Sequence, residues 1–350
     1  MTVAWPPGIR LIRLPLAGSP LRHVNSYLIK ADDGYVLVDC GWDTPDVLEA
    51  LEAALREAGV GLSDVRTLVA THYHQDHYGL AGTLLRLGRL RLLMHRLDWL
   101  YVDTHFADLA AYRENTLSWL ARNGLAPRPI SDEDRWAWES LQRFTLVAPD
   151  EMVEDGQVLR AGRHAFQVVW TPGHTPGHIC LFDAEQRLLI AGDHVLDPIT
   201  PNVSFWGDDH GNPLGDFLES LRKVAALEAD LVLPAHGEPF SGLQRRVGEL
   251  LAHHDEREQA MLQAMDGHDA TATEIARRVP WTRRRQLFDD LPLPQQRMAV
   301  SETLSHLREL EAQGSVARSA VGGRILFNRS GRTSGAPPFP SARVAADGSR

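Results

Sequence analysis

A histidine-rich segment, THYHQDHYG (71–79), constrains this chain most, because it places three histidines and one aspartate within six positions. It follows VRTLVA (65–70), a short apolar run with β-branched residues that is typical of a buried strand. His72 and His74 are two residues apart, so in an extended chain their side chains point to the same side. We therefore expect a strand-to-helix loop that binds a metal ion, and a solvated polar loop is the alternative.

The composition is that of a globular protein, with 43% hydrophobic and 23% charged residues among 350, and the length allows two domains. A net charge of -10 gives no general electrostatic attraction to nucleic acid or to an anionic membrane. Prolines and arginines interrupt the first residues where a secretory signal needs an unbroken apolar run, and no stretch reaches membrane-spanning length. The sequence therefore predicts a cytoplasmic protein without membrane contact.

The two cysteines, Cys40 and Cys180, are too few for a disulfide framework or a thiolate zinc cluster. A metal ion in this chain would have to take nitrogen and oxygen ligands.

The first 250 residues predict strands and helices in the order of two packed sheets with helices outside. IRLIRLPL alternates like a strand, and NSYLIKADDGYVLVDCG predicts a hairpin that turns at Asp32-Asp33-Gly34. A helix is predicted at 44–59, with Thr44 as its N-cap. Further strands are predicted at 65–70, 90–95, 166–170, 179–183, 187–193 and 229–237.

Residues 96–145 lack strand alternation and contain several tryptophans and tyrosines, so they predict a helical insertion. Because this insertion directly follows the helix after the histidine-rich loop, it could form a lid whose aromatic side chains line one side of a substrate pocket. Core packing is the more ordinary use of such side chains.

The chain after residue 254 predicts a second, smaller domain at 255–330. Helical patterns at 271–279 and 296–314 precede two strand patterns joined by Gly322-Gly323, which is the order of a winged helix. In the longer helix, Met298, Leu304, Leu307 and Leu310 are predicted to lie on one apolar face, with Gly314 as C-cap. Residues 331–350 are rich in Gly, Ser and Pro and predict a disordered tail.

Three later strands of the first domain also lead to a candidate ligand, each within a segment that contains Gly or Pro. These are His174 in TPGHTPGH (171–178), Asp193 in AGDH (191–194) and His236 in LPAHGEP (233–239). With the first segment, they exceed the four ligands of a tetrahedral zinc ion but suit two metals that share a carboxylate. The candidate ligands are His72, His74, Asp76, His77, His174, Asp193 and His236.

This ordered series, preceded by Asp39 in VLVDCG, resembles the five-motif signature of the metallo-β-lactamase superfamily over residues 9–250. The resemblance implies a four-layer αβ/βα sandwich of the α/β (α+β) class. Asp193 stands at the position where true β-lactamases of this fold mostly have cysteine. In having aspartate there, the chain resembles the glyoxalase II, lactonase, phosphodiesterase and RNA-processing branches.

The resemblance also implies a role for each residue. Asp193 would bridge two metal ions. Asp39 and Asp76 are the predicted catalytic residues, with Asp39 holding the ligand loop from behind by hydrogen bonds and Asp76 binding the second metal. The first metal would be bound by His72, His74 and His174, and the second by Asp76, His77 and His236.

Two divalent metal ions lower the pKa of a bridging water, so hydroxide becomes the nucleophile and no Ser, Cys or Lys is required. Zinc is the expected metal, and the same imidazole and carboxylate ligands could bind manganese or iron instead.

Four other histidines are less specific. His178 could contact a substrate, but a supporting role behind the ligands is favoured. His194 is predicted to be structural, since adjacent residues on a strand point opposite ways. His253 and His254 could close over the site or face solvent.

Three functions remain open at this point. The favoured one is a dinuclear metal-dependent hydrolase of a small-molecule ester, thioester or lactone, supported by the glyoxalase-like TPGHTPGH and the acidic chain. No basic cluster after the fourth motif would bind a glutathione carboxylate. The third function, a non-catalytic metal-binding protein, is disfavoured by the complete ligand set.

The second function is an endoribonuclease or phosphodiesterase similar to the branch of β-lactamase-like protein 2. Residues 271–330 contain ten arginines and six acidic residues, a net charge of +4 that could bind nucleic acid phosphates. A winged helix also serves as a packing or homodimer module. We favour that use, since the rest of the chain is strongly acidic.

Overall fold

The computed structural model describes residues 5–126, 145–205, 211–282 and 284–330. They form two compact units, described separately below. Among the described residues, unit 1 comprises 5–109, 145–202 and 216–251, and unit 2 comprises 110–126, 203–205, 211–215, 252–282 and 284–330. The predicted domain boundaries (1–254 and 255–330) stay a prediction, and the predicted tail at 331–350 lies outside the described residues.

The strands are β1 (Ile9–Pro15), β2 (His23–Ala31), β3 (Gly34–Val38), β4 (Val65–Val69), β5 (Arg91–His95), β6 (Glu151–Val153), β7 (Val158–Ala161), β8 (His164–Trp170), β9 (Ile179–Asp183), β10 (Leu188–Gly192), β11 (Leu231–Pro234), β12 (Val316–Val321) and β13 (Arg324–Arg329). The α-helices are α1 (Pro45–Glu57), α2 (Gln75–Tyr78), α3 (Ala81–Leu87), α4 (Arg96–His105), α5 (Leu109–Arg122), α6 (Pro213–Ala225), α7 (Leu243–Met265), α8 (Ala272–Arg278) and α9 (Leu293–Ala312). None of these helices is both long and apolar enough to span a bilayer within the part of the chain described.

Unit 1 contains two sheets. β1 to β6 form one sheet in chain order, antiparallel from β1 to β3 and parallel from β3 to β6. The other sheet has the order β11-β10-β9-β8-β7, in which β10 and β11 are parallel and the other pairs antiparallel. The predicted pair of sheets is confirmed.

Buried apolar side chains on the two faces of the first sheet help to hold unit 1 together. Buried side chains from both sheets, such as Val69 and Phe166, form one cluster, so the sheets pack face to face. A second cluster joins the outer face of the first sheet to α1 and α3 through Val47 and Leu84. Because successive strand residues point to opposite faces, Leu37 of β3 enters the second cluster and Val38 the first.

Helix α6 lies beside the end of β8. Ser220 Oγ donates to the carbonyl oxygen of Pro172 at 2.9 Å, and Lys223 Nζ donates to that of Trp170 at 2.9 Å. Helices therefore flank both sheets, which is the layered α/β sandwich expected from the sequence.

Helices α4 and α5 occupy the described part of the predicted insertion at 96–145. Trp136 and Trp138 lie outside the described residues.

Unit 2 has a buried cluster of its own, to which Trp119 of α5, Ile275 of α8, Leu304 of α9 and Phe327 of β13 contribute. The prediction that Met298 lies on the buried face of α9 is wrong, since 45% of this residue is exposed. The buried residues on either side of it are Gln296, Ala299 and Val300.

From residue 272 onward, unit 2 has two α-helices followed by a hairpin. Helix α8 begins with a capping box, in which Thr271 Oγ1 accepts from Glu274 N and the Glu274 carboxylate accepts from Thr271 N. Helix α9 leads into β12 and β13, which pair as an antiparallel hairpin. The winged-helix interpretation of this order stays a prediction.

Candidate metal centre

The seven candidate ligands of unit 1 all lie at or beyond the ends of β4, β8, β10 and β11. His72 and His74 lie in the loop after β4, while Asp76 and His77 lie in the short helix α2. Residues that follow strand ends at one edge of a sandwich can converge. The structure brings all seven together in three overlapping groups, each with ligand atoms within 4.8 Å of one another.

The first group consists of His72, His74 and His174. Nδ1 of His74 lies 3.0 Å from Nε2 of His72 and 3.0 Å from Nε2 of His174. Nδ1 of His174 donates to the carbonyl oxygen of Asn202 at 2.7 Å, so its Nε2 presents a lone pair to the group. Three ring nitrogens at one point are typical of a metal site.

Burial controls the protonation of this group. Removal from water lowers the pKa of His72 and of His174, and lowers that of His74 to about 3. The three rings are therefore neutral near pH 7, which is the form that binds a metal ion.

The second group consists of Asp76, His77 and His236. Nε2 of His236 lies 3.3 Å from one oxygen of Asp76, and Nε2 of His77 lies 3.7 Å from the other. Nδ1 of His236 donates to the carbonyl oxygen of His23 at 3.0 Å, so this ring also directs Nε2 into the site.

The electrostatics of the second group differ from those of the first. Burial disfavours charge on His77 and His236, but the carboxylates of Asp76 and Asp193 outweigh burial and raise the pKa of both rings. Burial likewise disfavours charge on Asp76, yet the two histidines lower its pKa to about 2. The group therefore contains ionised carboxylate at neutral pH.

Asp193 lies between the two groups. Its Oδ2 is 3.6 Å from Nε2 of His77 and 3.6 Å from Nε2 of His174, and its Oδ1 is 3.4 Å from Nε2 of His236. One carboxylate thus approaches histidines of both groups, which is the geometry that a bridging ligand requires.

The residues present fit bound metal ions. Among the described residues, three buried atoms of the site make no hydrogen bond, namely His77 Nε2, Asp193 Oδ1 and His236 Nε2. An unpaired buried polar atom costs about 1–3 kcal/mol, and coordination to a cation would remove that cost. Imidazole and carboxylate ligands suit zinc, and also manganese or iron.

Asp39 supports the ligands from behind. Its backbone has a φ of 60°, which is uncommon for a residue other than glycine. Its Oδ2 lies 2.8 Å from Nδ1 of His77, and its Oδ1 accepts from the backbone N–H of Thr71 at 2.8 Å. The Thr71 hydroxyl donates to the same carboxylate and lies 3.1 Å from Nδ1 of His72. Sequence reasoning missed Thr71, whose only signal is its position beside a ligand.

His178 is fully buried and supports Asp193. Its Nδ1 lies 2.8 Å from the hydroxyl of Thr171, and its Nε2 accepts from the backbone N–H of Asp193 at 3.1 Å. Since both ring nitrogens are used in this way, the geometry favours a supporting role over contact with substrate. A side chain at Gly192 would come within 2.6 Å of the same Nε2, so glycine permits this approach.

The other histidines lie elsewhere. His194 is fully buried and packs edge-on against Phe217, with ring centroids 5.0 Å apart, in agreement with a structural role. His254 is buried in unit 2, where its Nδ1 lies 3.2 Å from Nε2 of His306. His254 therefore does not face solvent, and His253 beside it is half-buried.

Aromatic side chains of α4 lie next to the ligand loop. The ring of Tyr101 stacks on that of Tyr73 at 4.8 Å, and Tyr73 contacts His74 edge-on at 4.9 Å. The predicted lid at 96–145 stays a prediction.

Both cysteines are buried and unbonded. Burial raises the pKa of Cys40 well above its usual range and that of Cys180 to about 12, so both thiols are protonated. Neither belongs to a candidate ligand group in the described residues.

The family model described as Metallo-beta-lactamase superfamily matches residues 19–236. This chain therefore belongs to the metallo-β-lactamase superfamily, and it is a hydrolase of that superfamily.

Three similar proteins illustrate the relationship. The crystal structure of a metallo-beta-lactamase family protein from Thermus thermophilus is 32% identical, with a TM-score of 0.80 over 93% of this chain and 100% of that one. The probable metallo-hydrolase YqjP of Bacillus subtilis (strain 168) is 25% identical over 86% of this chain and 92% of its own length. The atrochrysone carboxyl ACP thioesterase of Emericella nidulans is 26% identical over 73% of this chain and 65% of its own length.

Proposed function

We propose that this chain is a dinuclear metal-dependent hydrolase that cleaves an ester, thioester or lactone of a small molecule. One observation carries the proposal: Asp193 approaches His77, His174 and His236 within 3.4–3.6 Å, and so contacts both candidate metal groups. A single four-coordinate ion would leave several of the seven convergent side chains without a role.

In this proposal, the first ion is held by His72, His74 and His174, and the second by Asp76, His77 and His236, with Asp193 between them. Two divalent ions held by these residues would supply Lewis acidity, which lowers the pKa of a bound water and polarises a carbonyl group. Zinc is the proposed metal.

The chain's own residues hold this arrangement. Asp39 fixes the ring of His77 through Nδ1, and His178 fixes the backbone of Asp193. The carboxylates of Asp76 and Asp193 stay ionised because neighbouring histidines lower their pKa against the effect of burial.

Two observations support an acyl substrate. The relative from Emericella nidulans is named as an atrochrysone carboxyl ACP thioesterase. The stacked rings of Tyr73 and Tyr101 give the ligand loop an apolar neighbour suited to an acyl group.

The alternative, an endoribonuclease or phosphodiesterase, rests on the arginines of the C-terminal segment. Two of them are already engaged within unit 2: Arg277 Nε lies 3.2 Å from Asp289, and Arg278 donates to the carbonyl oxygen of Ala264 at 2.7 Å. These internal contacts support a packing role for the segment, which we propose to be a winged helix.

Metal analysis and a substrate panel test the proposal together. We expect two metal equivalents per chain, and hydrolysis of p-nitrophenyl esters, thioesters or lactones in preference to bis(p-nitrophenyl) phosphate. At most one equivalent after reconstitution would contradict the dinuclear site. A preference for the phosphodiester would instead favour the alternative function.

A further inference from the structure

Asp98 is a fully buried acidic residue. It is neither a candidate metal ligand nor one of the residues described above as supporting the ligands. It lies in the first turn of α4 and accepts hydrogen bonds from two separate loops of unit 1. Its Oδ2 accepts from the backbone N–H of Tyr73 and from the hydroxyl of Thr175, each at 2.9 Å. Its Oδ1 accepts from the backbone N–H of Gly177 at 2.5 Å.

The donors identify what Asp98 connects. Tyr73 lies between His72 and His74, and Thr175 directly follows His174. One carboxylate is therefore hydrogen-bonded to both loops that supply the first histidine group, although these loops are about a hundred residues apart in the chain and follow strands of different sheets.

Asp98 is not needed to begin its own helix. The N-cap of α4 is His95, whose Nδ1 accepts from the backbone N–H of Leu97 at 3.3 Å. Burial raises the pKa of Asp98 to about 7, and its three hydrogen bonds oppose that rise. Burying a carboxyl group destabilises the fold unless the group is hydrogen-bonded, and the three hydrogen bonds to Asp98 offset that cost.

Gly177 provides independent evidence for a fitted contact. A Cβ atom at this position would clash with the backbone nitrogen of Asp98 and would lie 2.8 Å from its Oδ1. The second TPGH repeat therefore carries glycine where α4 approaches the loop, and the backbone N–H of that glycine is one of the three donors.

We propose that Asp98 is a positioning residue that fixes His72, His74 and His174 relative to one another by joining the loops that carry them. The inference rests on the proposed function, because it assigns those histidines to one metal ion. Asp98 thus does for the first group what Asp39 does for His77 of the second. Groups that orient metal ligands in this way affect metal affinity by about 10–100-fold when they are replaced.

The test compares Asp98→Asn with a matched control on the same helix, Asp103→Asn, whose side chain is exposed. The asparagine keeps the shape but replaces one acceptor oxygen with an NH2 group that cannot accept from Tyr73 or Gly177. Zinc content and zinc affinity are measured by competition with a chelator, and activity is measured at increasing zinc concentration.

We expect Asp98→Asn to lose one equivalent at chelator concentrations where the wild type and Asp103→Asn keep two. The affinity of that position should fall by about 10–100-fold, and excess zinc should restore kcat. In a His174→Ala background, where the first position is already lost, Asp98→Asn should cause no further loss of zinc.

Wild-type zinc affinity at both positions in Asp98→Asn would overturn the inference and leave the proposed function intact. If Asp98→Asn fails to fold, Thr175→Val provides the test instead, because it removes one of the three hydrogen bonds to Asp98 while the shape of the side chain is nearly unchanged. Thr175→Val should then weaken the same position by a smaller factor, and unchanged affinity would overturn the inference. If the wild-type chain binds no zinc, the proposed function itself is contradicted.

Discussion

Oδ2 of Asp39 lies 2.8 Å from Nδ1 of His77, and the two side chains are 2% and 0% exposed. Because the carboxylate accepts the proton on Nδ1, the other ring nitrogen presents its lone pair to the second candidate metal group. The same carboxylate accepts from Thr71, which precedes the first ligand.

Replacing Asp39 with asparagine should weaken metal binding. If the new NH2 group faces His77, it cannot accept from Nδ1, so the ring loses the contact that fixes its orientation. We expect affinity at the second position to fall by about 10–100-fold in a chelator competition. Asp46→Asn, at an exposed position of α1, is the control. Equal affinities in the two variants would contradict the role of Asp39.

Asp193 and His236 should differ in their effects on metal content. Asp193 contacts histidines of both groups, so Asp193→Ala should lower occupancy at both positions. His236 lies near the carboxylates of Asp76 and Asp193, and its ring contacts that of His77 edge-on at 5.5 Å, so His236→Ala should deplete mainly the second position. Elemental analysis of both variants checks this, and an equal loss in both would show that the assigned roles are wrong.

The two metal positions should release metal at different pH. In the metal-free chain, burial lowers the pKa of His74 to about 3, whereas carboxylates raise the pKa of His77 and His236 against the effect of burial. Protons therefore compete with metal at the second group first as the pH falls. As the pH falls, the second position should therefore weaken at a higher pH than the first.

Metal content after equilibration at several pH values, with free zinc held constant, measures this order. His236→Ala supplies the reference, because its remaining equivalent should report the first position alone. Simultaneous loss of both equivalents in the wild type would contradict the prediction.

Gly173 should be essential for the loop that carries His174. It has a φ of 132°, and an added Cβ would lie 2.5 Å from Cα of Phe217 in α6. Gly173→Ala should therefore lower the free energy of unfolding by about 3 kcal/mol or more, from backbone strain and overpacking together. Gly156 has a φ of 81° with nothing near its Cβ position, so Gly156→Ala should cost about 1–2 kcal/mol.

Urea unfolding of the two alanine variants separates strain from overpacking. Equal losses of stability would mean that the loop and α6 move apart at little cost.

RNA binding should be absent from the intact chain. The test titrates labelled single-stranded RNA at about 50 and 200 mM salt, a range over which several phosphate contacts would weaken binding by orders of magnitude. Micromolar affinity with that salt dependence, lost when five arginines are replaced with alanine, would instead favour the nuclease function. Those arginines are Arg277, Arg278, Arg283, Arg284 and Arg285.

Much of unit 1 was predictable because its local patterns agree with the tertiary structure. The predicted helix at 44–59 corresponds to α1, with Thr44 as N-cap, and the hairpin turn at residues 32–34 joins β2 to β3. The candidate ligands were found because each follows a strongly apolar strand, and a strand end directs the next loop to the edge of the sheet.

Other features were not accessible because they depend on partners distant in sequence. The contacts of Asp98 with Tyr73 and Thr175 cross between sheets, and nothing in the local pattern around residue 98 distinguishes it from an exposed helical aspartate. β6 and β7 are three and four residues long, too short for a period-2 pattern to identify. Met298 has the helical spacing of a core residue, but the packing of α9 places it on the exposed face.

The first and second candidate metal groups each take two side chains from the loop and helix after β4 in the first sheet and one from a loop of the second sheet, His174 or His236. A bound ion would therefore be a cross-link between the two sheets, closing a segment of about 100 residues in one group and about 160 in the other. Closure of long segments disfavours the unfolded chain, as a disulfide does. Both cysteines are buried thiols, so this cross-link would depend on the supply of metal and not on the redox state of the surroundings.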